Sequence, residues 1–261
     1  MTHLPIFIIS LPEATDRRAR MQKILGDMGL SFEFIDAVDG RKFDVVNHPH
    51  YNPEKRLRCF GRHLNGGEIG CILSHRKIYE KMVDENIERA LIFEDDVLLR
   101  DDFFPVLEKI EQLSIPFDMM RFFGSPKLER LKMRNVLKLD DTHYLVRHSG
   151  MPGGSHATLM TLDGAKKMIR HTQRTSYPID ALLGRSWLTG MNWYTVRPGI
   201  AAQDLSFVSA IGEDRFDEQK DIRGFPRMIF PLTRAWFKFG ESVAKKYWYY
   251  SKYFQDRRLK G

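Results

Sequence analysis

The stretch Ala90-Leu91-Ile92-Phe93-Glu94-Asp95-Asp96 joins four consecutive apolar residues to three consecutive carboxylates. A short apolar run of this kind, bounded by charge, is the signature of a buried strand. Three adjacent negative charges repel one another, so the triplet is costly unless a cation compensates it. Hard cations such as Mg²⁺ or Mn²⁺ take oxygen ligands, commonly one or two carboxylates with phosphate oxygens and water. A strand end is also where open α/β sheets bind their ligands. The competing reading is a solvated acidic turn that caps the following helix.

Outward from that stretch, strands and helices alternate. Pro5 to Leu11 is a short Ile-rich strand, Asp16 to Met28 has helical spacing ended by Gly29, and Phe32 to Val38 is a second strand closed by Asp39-Gly40. This β-α-β opening predicts parallel pairing with a right-handed crossover. Residues 41–66 read as a surface loop. Glu68 to Val83 is a helix, Asp102 to Leu113 another, and Met119 to Phe123 and Tyr144 to Arg147 are strands. After the glycines at 150, 153 and 154, Ala157 to Thr161 is a strand and Asp163 to His171 a helix. The pattern predicts an α/β domain of doubly wound type over residues 1–224, followed by a separate basic aromatic segment, 225–261.

Composition narrows the field. An apolar share of 43% and an aromatic share of 12% support a buried core and exclude a disordered chain. From Arg227 onward nine basic residues face two acidic ones, which accounts for the whole formal charge of +7 and leaves residues 1–226 formally neutral. Two cysteines, Cys59 and Cys71, make neither a disulfide framework nor a zinc cluster. The first residues lack the marks of a signal peptide, and no window reaches the roughly 18 apolar residues of a spanning helix. The expected location is the cytoplasm, peripheral on the cytosolic face of the inner membrane.

Four blocks together resemble glycosyltransferase family 25: Ile6-Phe7-Ile8-Ile9-Ser10-Leu11 with Arg17-Arg18 beyond it; Ala37-Val38-Asp39-Gly40; Gly67-Glu68-Ile69-Gly70-Cys71-Ile72-Leu73-Ser74-His75; and the strand with its acidic triplet. They keep the family's order across about residues 5 to 100, with weaker echoes at Gly164-Ala165-Lys166-Lys167, Pro178-Ile179-Asp180 and Gln203. The resemblance implies an A-type glycosyltransferase fold, a single Rossmann-like nucleotide-sugar domain with a mixed, mainly parallel sheet. It also implies a UDP-sugar donor and inversion at the anomeric carbon. By position, Ser10 and Leu11 would touch the uridine, Arg17 would lie near the nucleotide or brace its loop, and Asp39, Ser74 and His75 would belong to the donor pocket. Asp96 would be the direct ligand of Mn²⁺ or Mg²⁺ with Glu94 beside it, Glu94 also facing the nucleotide and Asp95 supporting catalysis.

Several of these residues carry a plainer alternative. Arg17 can be a helix-surface arginine, His75 a packed structural histidine, and Cys71 a core residue. Asp180 is the leading general base for an attacking hydroxyl, and equally a helix N-cap before Ala181-Leu182-Leu183. A further metal ligand is open among His156, Gln203, Asp204 and water. The glycines from Gly150 to Gly154 do not form a phosphate-binding loop.

Interleaved Lys, Arg and aromatic side chains after Phe225 suit an anionic membrane surface, a helix packed on the domain, or, less well, nucleic acid. No nucleic-acid fold accompanies them, so nucleic acid is not an expected partner. The expected activity is transfer of a hexose, galactose from UDP-galactose first, to a lipid-linked lipooligosaccharide or other cell-surface glycan. A nucleotidyltransferase and a non-catalytic anionic-lipid-binding module are the competing classes.

Overall fold

Strand β1 (Ile6–Ser10) is buried at every position, as a strand covered on both faces must be. This is a computed structural model that describes residues 2–124, 130–150, 153–206 and 221–259. Helix α1 (Thr15–Asp27) returns the chain to β2 (Glu33–Asp36), parallel to β1 in register Phe7 to Glu33. After α2 (Pro53–Phe60) and α3 (Gly66–Asp84), β3 (Arg89–Glu94) enters on the other side of β1, again parallel. Then come β4 (Val97–Leu99), α4 (Phe103–Glu111), β5 (Met119–Arg121), β6 (Met133–Lys138), β7 (Tyr144–His148) and β8 (Ala157–Thr161). Helices α5 (Leu162–Thr172), α6 (Ile179–Leu183) and α7 (Ser186–Thr189), with β9 (Trp193–Arg197) and β10 (Ala201–Gln203), complete the domain. Helices α8 (Phe225–Ser251) and α9 (Tyr253–Arg258) follow.

The main sheet runs β2-β1-β3-β8-β5-β9-β7-β6. Only β7 and β8 oppose the common direction, so the sheet is mixed and mainly parallel. Period-two alternation divides the core into two layers. Phe7, Ile9, Ala90 and Ile92 pack in one layer with residues of α3 and α5, whereas Ile6, Ile8, Leu91 and Phe93 pack in the other with α1 and α4. Burying both faces explains why these strands read as continuous apolar runs.

Residues 41–66 differ from the expected loop, because α2 lies within them. Asn52 caps it by accepting from the Lys55 amide, Pro53 opens it, and Gly61 closes it in the left-handed conformation at φ +80°. Strands β6 and β9 were not anticipated, although Trp193-Tyr194-Thr195-Val196 is a strong β-former run. The short antiparallel pair β4–β10, with Gln203 opposite Val97, was equally unforeseen. Of the glycine loop at 150–154, residues 151 and 152 lie outside the described residues, as do 260 and 261 of the final segment.

Candidate active site

Strands β1 and β3 end side by side at Ser10 and Glu94, and β8 starts opposite them. Because β8 is antiparallel with Phe93 facing Ala157, its preceding residue, His156, falls against the acidic triplet; the Glu94 amide donates to the His156 carbonyl at 3.0 Å. The result is a cleft of about 970 Å³ over the carboxyl edge of the sheet. Every site residue expected from sequence lines it: Ser10, Leu11, Arg17, Asp39, Ser74, His75, Glu94, Asp95, Asp96 and Asp180.

The three acids are not equivalent. Glu94 and Asp96 turn to one side, where His156 Nδ1 lies 3.0 Å from Glu94 Oε2 and 3.1 Å from Asp96 Oδ1. One ligand atom from each of these three residues lies within 4.8 Å of the others. Gln203 donates to Asp96 Oδ2 at 2.9 Å, and Ser155 Oγ donates to Glu94 Oε1. Asp95 turns the other way and is buried. Its carboxylate accepts from Ser10 Oγ at 2.7 Å and from Arg17 Nη1 at 3.1 Å. Arg17 thus braces the triplet from α1, one turn before Arg20, which donates to the Val97 carbonyl at 2.9 Å and lies 3.6 Å from Asp204.

Electrostatics match this layout. Burial works against a charged His156, but the adjoining Glu94 and Asp96 carboxylates outweigh it and lift the imidazolium pKa to about 10. Burial likewise opposes a charged Glu94, yet His156 and His75 hold its carboxyl well below the ordinary range. The two carboxylates thus gather positive charge about themselves. Two hard oxygens with one imidazole fit Mn²⁺ or Mg²⁺. A second grouping, Cys71, His75 and Glu94, offers a single oxygen and suits a hard cation less well.

His75 is buried at the cleft wall, with Nε2 3.6 Å from Glu94 Oε1 and Nδ1 3.4 Å from the Tyr79 hydroxyl. Cys71 is partly buried, packs against the core layer of α3 and also lines the cleft, one helical turn from His75 on the same face of α3. Ser74 is a strut, accepting from the Val38 amide at 2.8 Å and donating to the Gly70 carbonyl at 2.7 Å. Asp39 is exposed, and its pKa is lowered to about 2 by hydrogen bonds from Arg41.

Asp180 is not the N-cap of its helix. That place belongs to Pro178, and Asp180 sits in the first turn with Oδ1 accepting from the Ala181 amide at 2.6 Å. Beside it the cleft holds Glu68, whose pKa burial raises and whose carboxylate closes a capping box with Asn65. Two arginines escaped the sequence reading. Arg20 lies at i+3 from Arg17, a spacing that could have revealed it. Arg121 ends β5 at the carboxyl edge, and its buried guanidinium donates to the Gly153 carbonyl at 2.9 Å and to that of Gly154, fixing the loop that carries Ser155 and His156. Burial lowers its pKa to about 10, against the opposing charges of Asp180 and Glu94.

Residues 3–183 match the family described as Glycosyltransferase family 25 (LPS biosynthesis protein). Human inactive glycosyltransferase 25 family member 3 is 39% identical over 199 residues, covering 68% of this chain and 31% of that protein. Human procollagen galactosyltransferase 2 is 27% identical over 176 residues, covering 63% and 27%. Among solved structures, a glycosyltransferase involved in the glycosylation of the major capsid of PBCV-1 aligns with a TM-score of 0.32 at 11% identity, over 63% of this chain and 62% of that one. The chain spans 18–36% of the length of the first few curated relatives it matches. With four ordered blocks converging on one cleft and a family match over most of its length, the chain belongs to glycosyltransferase family 25.

Proposed function

We propose that this chain is a metal-dependent, inverting hexosyltransferase that moves galactose from UDP-galactose to a lipooligosaccharide or another cell-surface glycan. One observation carries the reading. Glu94, Asp96 and His156 converge at the carboxyl edge of the sheet, on a cleft large enough for a nucleotide-sugar. In this reading Glu94, Asp96 and His156 hold Mn²⁺ or Mg²⁺, which would neutralise the donor diphosphate and stabilise it as a leaving group. Asp95 keeps Ser10 and Arg17 in place at the nucleotide end.

Asp180 lies in the same cleft and serves as general base. The acceptor oxygen forms a bond to the anomeric carbon as the carbon–oxygen bond to the diphosphate breaks. The electron pair leaves with UDP, and the acceptor proton passes to the Asp180 carboxylate. A lipid-linked acceptor would place the chain at the cytosolic face of a membrane.

Some relatives bear the name inactive. The paired carboxylates, the facing imidazole and the Asp180 carboxylate support a working site here. The test is a screen of nucleotide-sugars with Mn²⁺, following UDP release and acceptor glycosylation together. The expected result is coupled UDP release that Asp96→Asn abolishes, with Asp180→Asn blocking transfer while UDP still binds. Pyrophosphate release instead would identify a nucleotidyltransferase. Absence of metal-dependent UDP binding would leave a non-catalytic module.

A further inference from the structure

Helix α8 has two apolar faces, and the domain covers only one. On the inner face Phe230 closes over Gly61, and Phe237 packs edge-on against Phe60 at 5.2 Å. On the outer face Met228, Leu232, Trp236, Phe239, Val243 and Tyr247 recur at spacings of three and four and are 51–77% exposed. At 100° per residue these six fall within one arc of the helix, opposite the packed side. A surface helix ordinarily presents polar residues outward, and an apolar stripe along most of a 27-residue helix marks an interaction surface.

Charge identifies the occupant. Arg227, Lys238 and Lys246 are exposed on the same helix, and Arg257 and Arg258 on α9. The only two acidic residues of the segment turn inward, away from that face. Glu241 pairs with Arg185 at 2.7 Å, and Asp256 is fully buried against Arg147 at 2.8 Å and against Arg134. What remains outside is apolar and cationic. Among the described residues no helix is long and apolar enough to cross a membrane. We propose that the outer face of α8 docks on a bilayer rich in anionic lipid, the helix lying in the interfacial plane with its aromatic stripe inserted and its Lys and Arg side chains on the headgroups. This docking stands on the helix alone and does not depend on glycosyl transfer.

The experiment is co-flotation of the full chain with vesicles of phosphatidylcholine alone and of phosphatidylcholine with phosphatidylglycerol. The unaltered chain floats with the anionic vesicles and not with the neutral ones, and about 0.5 M salt weakens recovery. Trp236→Glu combined with Tyr247→Glu lowers partition by about tenfold or more, with the thermal midpoint and metal-supported UDP binding unchanged. Lys238→Glu with Lys246→Glu reduces it on anionic vesicles. No flotation of the unaltered chain, or equal flotation of the stripe variant, overturns the proposal. So does self-association abolished by Trp236→Glu and Tyr247→Glu without vesicle binding, which would make a second copy the occupant.

Discussion

Glu94, Asp95 and Asp96 carry the same charge but meet different partners, because the turn between β3 and β4 points Asp95 at Ser10 and Arg17 while Glu94 and Asp96 face His156. Removing His156 takes one member from the Glu94 and Asp96 cluster, and removing the Asp95 charge loosens the Ser10 and Arg17 anchors instead. His156→Ala is therefore expected to weaken Mn²⁺ binding, read by calorimetry, by about tenfold or more. Asp95→Asn keeps metal binding within a few-fold and costs about 1–3 kcal/mol of stability, read from denaturant midpoints. A second residue-scale effect lies outside the cleft. His148 is buried beside Trp193, both ring nitrogens lack a hydrogen-bond partner among the described residues, and burial, with Arg197 and Arg121 nearby, lowers its pKa from 6.5 to about 4. The unfolded chain then binds more protons than the native one between those values, so stability falls as pH drops through this window. The loss is on the order of 3 kcal/mol by about pH 4, and His148→Gln flattens that limb in urea titrations from neutral pH to about pH 4.5.

At the scale of elements, α3 meets the loop after β2 backbone to backbone. A Cβ built on Gly70 would lie 2.3 Å from the Val38 carbonyl oxygen, and one on Gly66 would lie 2.0 Å from the Gly40 carbonyl oxygen. Neither clash can be relieved by a flexible side chain, because the opposing atoms are main chain. Gly70→Ala is expected to destabilise the domain by about 2–4 kcal/mol and to weaken UDP binding, since Val38, Asp39 and Gly40 line the cleft. Circular dichroism melts and a UDP titration read the two effects. Helix α2 shows the opposite side of the comparison with sequence. Its Asn52 cap, Pro53 start and Gly61 stop were all present in the sequence, yet the helix is short and its periodicity is obscured by Lys55, Arg56 and Arg58. The sequence showed local punctuation there without showing that Phe60 and Cys59 would find a partner in α8.

For the molecule as a whole, the final helices are joined to the sheet edge by Asp256. Its carboxylate is shared by Arg134 on β6 and Arg147 on β7, and both arginines lie over tyrosine rings, Tyr249 at 4.5 Å and Tyr194 at 4.6 Å. Asp256→Ala leaves buried guanidinium charge without its counter-ion and is expected to cost about 3–5 kcal/mol, with α8 and α9 becoming the first sites of limited proteolysis. The sequence alone determined the doubly wound α/β plan, because strands buried on both faces must be apolar at every position. It also placed the acidic triplet at a strand end and the basic aromatic excess after Phe225, and the ordered blocks pointed to the family. Only the tertiary structure decided that His156 completes the Glu94 and Asp96 cluster, because that depends on the antiparallel register of a strand some 60 residues away. Only it separated Asp95 from its neighbours and turned both acids of the basic segment inward. Strand register and side-chain facing are set by long-range packing, which local composition does not encode.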